Sequence, residues 1–334
     1  MNEEKKIITM KGCKEKRNRK FISLLFFLVA GLPALFAQSF SADEPVALIS
    51  SADHNFSSAV WSPNGHTIAF TSDEQNGIWL ANADGSNVRL LTADHGVGFG
   101  FSWSPDGEYI LARSVITENR RRFHQVKVYE VSSGAYEMIQ DKTRDLQGVP
   151  FWTNQQVALV MNRQLELRTP QMAARSNGAP SLVDLQSAQV NYHFLDKIHV
   201  MNKTTRQSER IADFEGRIIF NMRPSPSGNK LVFQLQGLGL HVVNADGTGL
   251  RNLGHGERAS WMPGEKYVVV SKVEDNGYVI TGGELYLVDV NTGESVHLTP
   301  HTQLTALKPA VSPCGTKVLF DNPDDGTIYL MDLR

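Results

Sequence analysis

Trp61-Ser62-Pro63-Asn64-Gly65-His66-Thr67-Ile68-Ala69-Phe70 is followed, 42 residues on, by Trp103-Ser104-Pro105-Asp106-Gly107-Glu108-Tyr109-Ile110-Leu111-Ala112. Proline presets φ at the second position of a turn, and the glycine accepts the positive φ that closes it. The apolar run after each turn has the length and composition of a short strand. A tryptophan, a tight turn and a β-strand thus recur as a unit. Four degenerate copies follow: Trp152-Thr153-Asn154, Pro224-Ser225-Pro226-Ser227-Gly228, Trp261-Met262-Pro263-Gly264 and Val311-Ser312-Pro313-Cys314-Gly315. Counted at the serine position, the intervals are 42, 49, 72, 37 and 50 residues.

What surrounds each copy repeats too. A second apolar run follows the first, as in Ile78-Trp79-Leu80, Leu240-His241-Val242 and Leu285-Tyr286-Leu287. A hairpin signal comes next, at Asp84-Gly85, Ser133-Gly134, Asp246-Gly247 and Thr292-Gly293. A last short run closes the unit. Each unit therefore reads as four antiparallel strands, a to d. A four-stranded repeat of roughly 40–50 residues is the period of a β-propeller blade. Six copies predict an all-β, six-bladed β-propeller. The third interval, much the longest, is read as a long insertion, about residues 168–196, within blade three. Blade six ends after its third strand, and Val46-Ala47-Leu48-Ile49-Ser50 precedes blade one as an orphan strand. That strand is expected to complete blade six and close the ring, removing two exposed strand edges.

The repeat resembles that of the TolB-like six-bladed propellers, best at residues 61–70 and 103–112. The resemblance covers nearly all of the chain after the first 37 residues and implies an envelope or periplasmic setting. Only a handful of residues separate Gln38 from the first strand, which implies a propeller-only relative without the TolB N-terminal domain. Sites are grafted onto folds, so the resemblance speaks to architecture more than to function.

Charge is unevenly placed. The chain carries 33 basic and 35 acidic residues. Residues 1–20 hold eight basic and three acidic ones, and residues 21–37 (FISLLFFLVAGLPALFA) hold none. The basic start, the apolar run and the small residue at its end read as a signal peptide over 1–37, with a mature chain 38–334. A membrane anchor is the competing reading. It is weakened because the apolar run is at the short limit for a span and is interrupted at Gly31 and Pro33. No membrane span is expected once the signal is cleaved, and the chain is expected to be periplasmic or secreted. The remainder carries 25 basic and 32 acidic residues, a net of −7. Such a body does not suit nucleic acid as a partner. Of two cysteines, Cys13 and Cys314, the first leaves with the signal, so no intrachain disulfide is expected.

The a–b and c–d connections are tight turns on one face, and the b–c and d–a connections lie on the other. Three b–c connections look expanded, at 113–124, about 168–196 and 271–283. Four d–a connections carry histidines, His54, His95, His255 and His301. Arg120, Arg121 and Arg122 add a basic cluster suited to a carboxylate or phosphate. These seven residues mark the face expected to take a ligand or partner. The repeated tryptophans read as core.

No Gly-x-Ser-x-Gly elbow, nucleotide-binding glycine loop or His-Glu-x-x-His occurs, so no catalytic residue is assigned and no cofactor is expected. The leading reading is an exported, non-catalytic scaffold that binds a protein or a saccharide in the cell envelope. The alternative is a metal-dependent lyase or hydrolase acting on acidic saccharides through the histidine-bearing face. Oligogalacturonate lyases, which resemble this repeat type, use a histidine-held metal. The residues leave the presence and identity of a metal open.

Overall fold

The strands of the computed structural model, which describes residues 40–173 and 188–334, pair into seven separate antiparallel sheets. The first holds β2 (Ser57–Trp61), β3 (Thr67–Thr71), β4 (Ile78–Asn82) and β5 (Arg89–Thr92). The second holds β6 (Phe101–Trp103), β7 (Tyr109–Glu118), β8 (Arg121–Glu130) and β9 (Tyr136–Thr143). The third holds β10 (Leu146–Thr153), β11 (Gln156–Met161) and β12 (Gln164–Arg168), and the fourth β13 (Gln189–Phe194), β14 (Lys197–Asn202) and β15 (Ser208–Asp213). The fifth holds β16 (Ile219–Pro224), β17 (Lys230–Leu235), β18 (Gly239–Asn244) and β19 (Arg251–Gly254). The sixth holds β20 (Glu257–Trp261), β21 (Tyr267–Asp275), β22 (Ile280–Asp289) and β23 (Ser295–His297). The seventh holds β24 (Leu307–Val311), β25 (Lys317–Asn322) and β26 (Thr327–Asp332), completed by β1 (Val46–Ile49).

The six-bladed expectation is therefore corrected to seven blades. The long third interval between motif copies hides the additional blade. Ile198-His199-Val200 lies in β14, and Gln189–Phe194, within the stretch read as an insertion in blade three, is a strand of the same sheet. This sheet escaped the motif because none of its described turns carries Pro, Asp and Gly in the repeated order. Its first turn places Leu195 at φ 52. Its outer turn is held by Asn202 Oδ1, which accepts from the N–H groups of Thr204 and Thr205.

Seven hydrophobic clusters confirm the count, each bridging one pair of neighbouring blades. Blades seven and one share Ile49, Phe56, Ile68, Phe70, Leu319 and Ile328. Blades three and four share Ala158, Val160, Leu165, Val190, Tyr192 and Met201. Blades four and five share Ile198, Ile219, Leu231 and Phe233. The remaining four interfaces are built alike. A sheet sandwiched between two others buries both faces. Its second strand therefore reads as an uninterrupted apolar run, not as an alternating one. In β3, Ile68 and Phe70 pack toward blade seven while Ala69 packs toward blade two. Large side chains such as Ile68 and Phe70 each contribute roughly 1.5–3 kcal/mol when fully buried.

β1 is the outermost strand of the seventh blade, pairing Val46 with Leu330 and Ala47 with Tyr329. The ladder is prolonged by Ala42 opposite Leu333 and by the Arg334–Asp43 ion pair. The expected signal peptide, residues 1–37, lies outside the described residues. Among the described residues no helix is long and apolar enough to cross a membrane.

Candidate ligand-binding face

The Ser-Pro turn explains one closed face. Ser62 is buried, and its Oγ accepts the N–H of Thr67 at 3.0 Å while donating to Asn64 Oδ1 at 2.8 Å. Ser104, Ser225 and Ser312 accept from Tyr109, Lys230 and Lys317 in the same way. The serine is thus the internal brace of each turn, and it also satisfies a backbone donor at the start of the next strand. The c–d connections then dock on these turns. Ala83, Val131, Ala245 and Val290 of these connections, and Leu333 just after β26, donate backbone N–H groups to His66, Glu108, Asn229, Lys266 and Thr316. Turns bonded to turns leave this face little freedom.

The tryptophans brace the ring at the inner strands. Trp61 Nε1 donates to the Ala310 carbonyl, Trp103 to Val60, Trp152 to Ser102 and Trp261 to Arg223. Every acceptor belongs to the first strand of the preceding blade. These residues are packing elements, and their indole N–H also staples blade to blade.

A third repeated device lies where the inner strands begin. Ser58, Gly148, Asn221, Arg258 and Lys308 all have positive φ, between 50° and 71°, at a bulge near the start of the inner strand. A left-handed residue costs energy unless it is Gly, so these positions need support from outside. At four of the five, Asn221 excepted, a polar contact comes from the last residue of the apolar run in the preceding blade's second strand. Asp321 accepts from Ser58 N at 2.9 and 2.7 Å, and Ser271 Oγ from Lys308 N at 3.0 Å. Gln234 Oε1 accepts from Arg258 N at 3.4 Å. Arg113 donates an Nη hydrogen to the Gly148 carbonyl at 2.8 Å. Sequence reading missed this belt. Its signal was present: the runs of β3, β7, β17, β21 and β25 each end in a polar residue, Thr71, Arg113, Gln234, Ser271 and Asp321.

Asp321 is nearly fully buried, and Lys308 Nζ lies 3.1 Å from it. Burial raises its pKa above the ordinary carboxylate value, and Lys308 and the backbone donors of Ser58 and Ala59 only partly offset this.

On the opposite face, the connections read as loops at 113–124 and 271–283 are ordered hairpins. β7 and β8 stay paired out to Glu118 opposite Arg121, with Asn119 and Arg120 forming the positive-φ turn. β21 and β22 stay paired to Asp275 opposite Ile280. Tyr278 at that tip is 95% exposed, and Val279 and Ile280 beside it are also open to solvent. The d–a connections share this face with the hairpins. Val115 donates to His95 O, and Ala306 to Gly283 O.

The histidines sit in four different inter-blade connections, each with its own surroundings. His54 stands 5.1 Å from the Trp79 ring, with Nδ1 3.6 Å from Asp73. His95 follows Asp94, whose carboxylate is taken by Lys127 and by the Tyr129 hydroxyl. Burial and that carboxylate raise the Tyr129 pKa. His255 Nε2 lies 3.3 Å from Val273 O. His301 lines a shallow cleft with residues 40–45 and 297–302. Among the described residues, no three His, Cys, Asp or Glu side chains converge as metal ligands would. Arg120 occupies the hairpin turn, and Arg121 and Arg122 point to opposite sides of β8.

The architecture defines a seven-bladed β-propeller with one face sealed by turns and the other carrying projecting hairpins. The chain is similar to the β-propeller domain of Cps50 (Swd1) from Myceliophteria thermophila, at 14% identity and a TM-score of 0.57. That match covers 88% of this chain and 99% of the other. TolB from Acinetobacter baumannii matches at 16% identity and a TM-score of 0.47, over 83% of this chain and 63% of the TolB chain. At these identities the likeness shows the fold alone. No protein-family model and no curated protein matches the sequence.

Proposed function

We propose that this chain is an exported, non-catalytic propeller that binds a protein partner on the face formed by the b–c and d–a connections. The observation that carries the reading is the asymmetry of the two faces. Two ordered hairpins project from one, and the tip of one of them exposes Tyr278, Val279 and Ile280. Large exposed apolar side chains clustered on a protrusion suit protein contact. His54, His95, Arg120, Arg121, Arg122, His255 and His301 lie in connections or hairpins of that face and form its polar surround. The apolar run at residues 21–37 and the basic run before it support export.

Site-specific photo-crosslinking tests the reading. A crosslinker placed at Tyr278 or Arg120 is expected to trap the same partner in the native host. Controls at Asn64 and Asp106, on the turn face, are expected to trap none. Adducts confined to Asn64 and Asp106 would reverse the choice of face. Stoichiometric, tightly held transition metal in the purified protein would overturn the non-catalytic reading.

A further inference from the structure

Arg113 stands out among the charged side chains. Charged groups are seldom buried unless paired. Arg113 is 9% exposed, and no carboxylate among the described residues pairs with it. One Nη donates to Gly148 O, and the guanidinium lies 4.5 Å over the Phe99 ring. Its Nε is buried with no partner among the described residues.

Strand register places two more nitrogen-bearing side chains beside it. Arg113 is opposite Val126, Val115 opposite His124, and Thr117 opposite Arg122. Because side chains alternate along a strand, Arg113, His124 and Arg122 share one side of the β7–β8 hairpin. His124 Nδ1 is also buried without a partner among the described residues. Arg122 is exposed at the outer end of the row. Burial lowers the pKa of both Arg113 and His124. The positive charge of Arg122 lowers each further, and that of Arg113 adds to the effect on His124. A body with a surplus of acidic residues has thus placed two arginines and a histidine together, with no described acid among them.

We infer that Arg113, His124 and Arg122 form an oxyanion site, and that the anion it takes is a carboxylate carried by the docked protein. The planar guanidinium matches a carboxylate with two parallel N–H donors, and the Nε side of Arg113 is the side left free. Neutral His124 supplies one further N–H, and Arg122 supplies charge at the entrance. The inference rests on the reading that this face docks a partner.

Calorimetry on the purified full chain at about 20 mM salt, where screening is weak, tests it with a defined probe, the peptide triglutamate. Saturable binding is expected, and none with triglutamine amide. Arg113→Gln should weaken binding at least about tenfold, the loss expected for a charge-assisted pair. Arg113→Lys keeps a cation without the fork, guards against misfolding, and should also lose most of the affinity. Arg251→Gln, exposed on the outer strand of the fifth blade, should bind as the parent does. Absence of triglutamate binding, equal losses in the Arg251 and Arg113 variants, or full affinity in Arg113→Lys would each overturn the site. Tighter binding of inorganic phosphate than of triglutamate would overturn the carboxylate assignment. Partner crosslinking from Tyr278 reads the docking face independently, so failure of one reading is distinguishable from failure of the other.

Discussion

Replacing Asp321 by alanine should loosen the seam between the last blade and the first. The native carboxylate is buried at this seam and accepts from Ser58 N at 2.9 and 2.7 Å and from Lys308 Nζ at 3.1 Å. Alanine leaves the Ser58 N–H without its acceptor, in a left-handed residue that cannot easily turn to find another. An unsatisfied buried donor costs about 1–3 kcal/mol, and breaking a buried ion pair about 3–5 kcal/mol. Lys308 is 35% exposed and regains water, which moves the total to the lower end, about 3 kcal/mol. Urea unfolding followed by tryptophan fluorescence measures this. The double variant Asp321→Asn, Lys308→Met should cost less than Asp321→Ala, because an amide oxygen still accepts from Ser58 and no ammonium is stranded. The pH dependence has a definite sign. The folded-state pKa is raised, so the stability this group contributes is fully present below about pH 3.8 and declines as pH rises through the raised value. Relative to Asp321→Asn, the parent should therefore gain stability on acidification. A loss under about 1 kcal/mol in Asp321→Ala, below the range for an unsatisfied buried donor, or the opposite pH trend, would refute the belt as a structural device.

Ile49→Ala in β1 should cost about 2–4 kcal/mol, since Ile49 is 2% exposed in the cluster joining blades seven and one; an unchanged urea midpoint would show that the closing strand is dispensable. His193 has its pKa lowered to about 4 by burial, so stability should fall as pH drops from about 6.5 toward 4. An NMR titration with its midpoint near the ordinary histidine value would contradict this, and His193→Phe should flatten that limb of the stability profile. Cys314 is exposed, and hydrogen bonds to Ser312 and Thr316 lower its pKa to about 7. Its rate of reaction with a disulfide reagent should rise through an inflection near pH 7, and Ser312→Ala should shift that inflection upward.

The blades that announced themselves are those in which a local turn carries the chemistry of the repeat. Ser62, Ser104, Ser225 and Ser312 each brace a turn through their own hydroxyl, so the residue type is dictated by a short local stretch of sequence. Blade four has no such brace among its described residues. What holds β13, β14 and β15 in place is packing of Ile198, Val190 and Tyr192 against blades three and five, and backbone bonds from Phe214 and Ile219 to Asp196 and Leu195. Packing between distant segments leaves no short motif. The signal that remained was metric: the third interval between motif copies is long enough to hold an additional sheet. The hairpins at 113–124 and 271–283 were misread for a related reason. Polar residues in Arg121–Arg122 and Glu274–Asp275 look like loop, yet a paired extension beyond the core needs no apolar face to stay in register.

The same logic separates Arg113 from its counterparts. Thr71, Gln234, Ser271, Asp321 and Arg113 occupy one position in five blades, and their common task is to bridge strands with a polar atom. Thr71 gives its hydroxyl hydrogen to Gly77 O. Gln234 Oε1 accepts from both Asn221 Nδ2 and Arg258 N. Ser271 Oγ serves Lys308 N, and both oxygens of Asp321 accept from Ser58 N. A hydroxyl or an amide suffices for this without the desolvation cost of a charge, and the one carboxylate, Asp321, has Lys308 as its counterion. Arg113 performs the same bridge to Gly148 O with one nitrogen and leaves another buried and unmatched. A structural role alone therefore does not account for the arginine. A carboxylate arriving from outside does, because it gives the unmatched Nε an acceptor and gives three clustered basic side chains the countercharge that the described chain withholds.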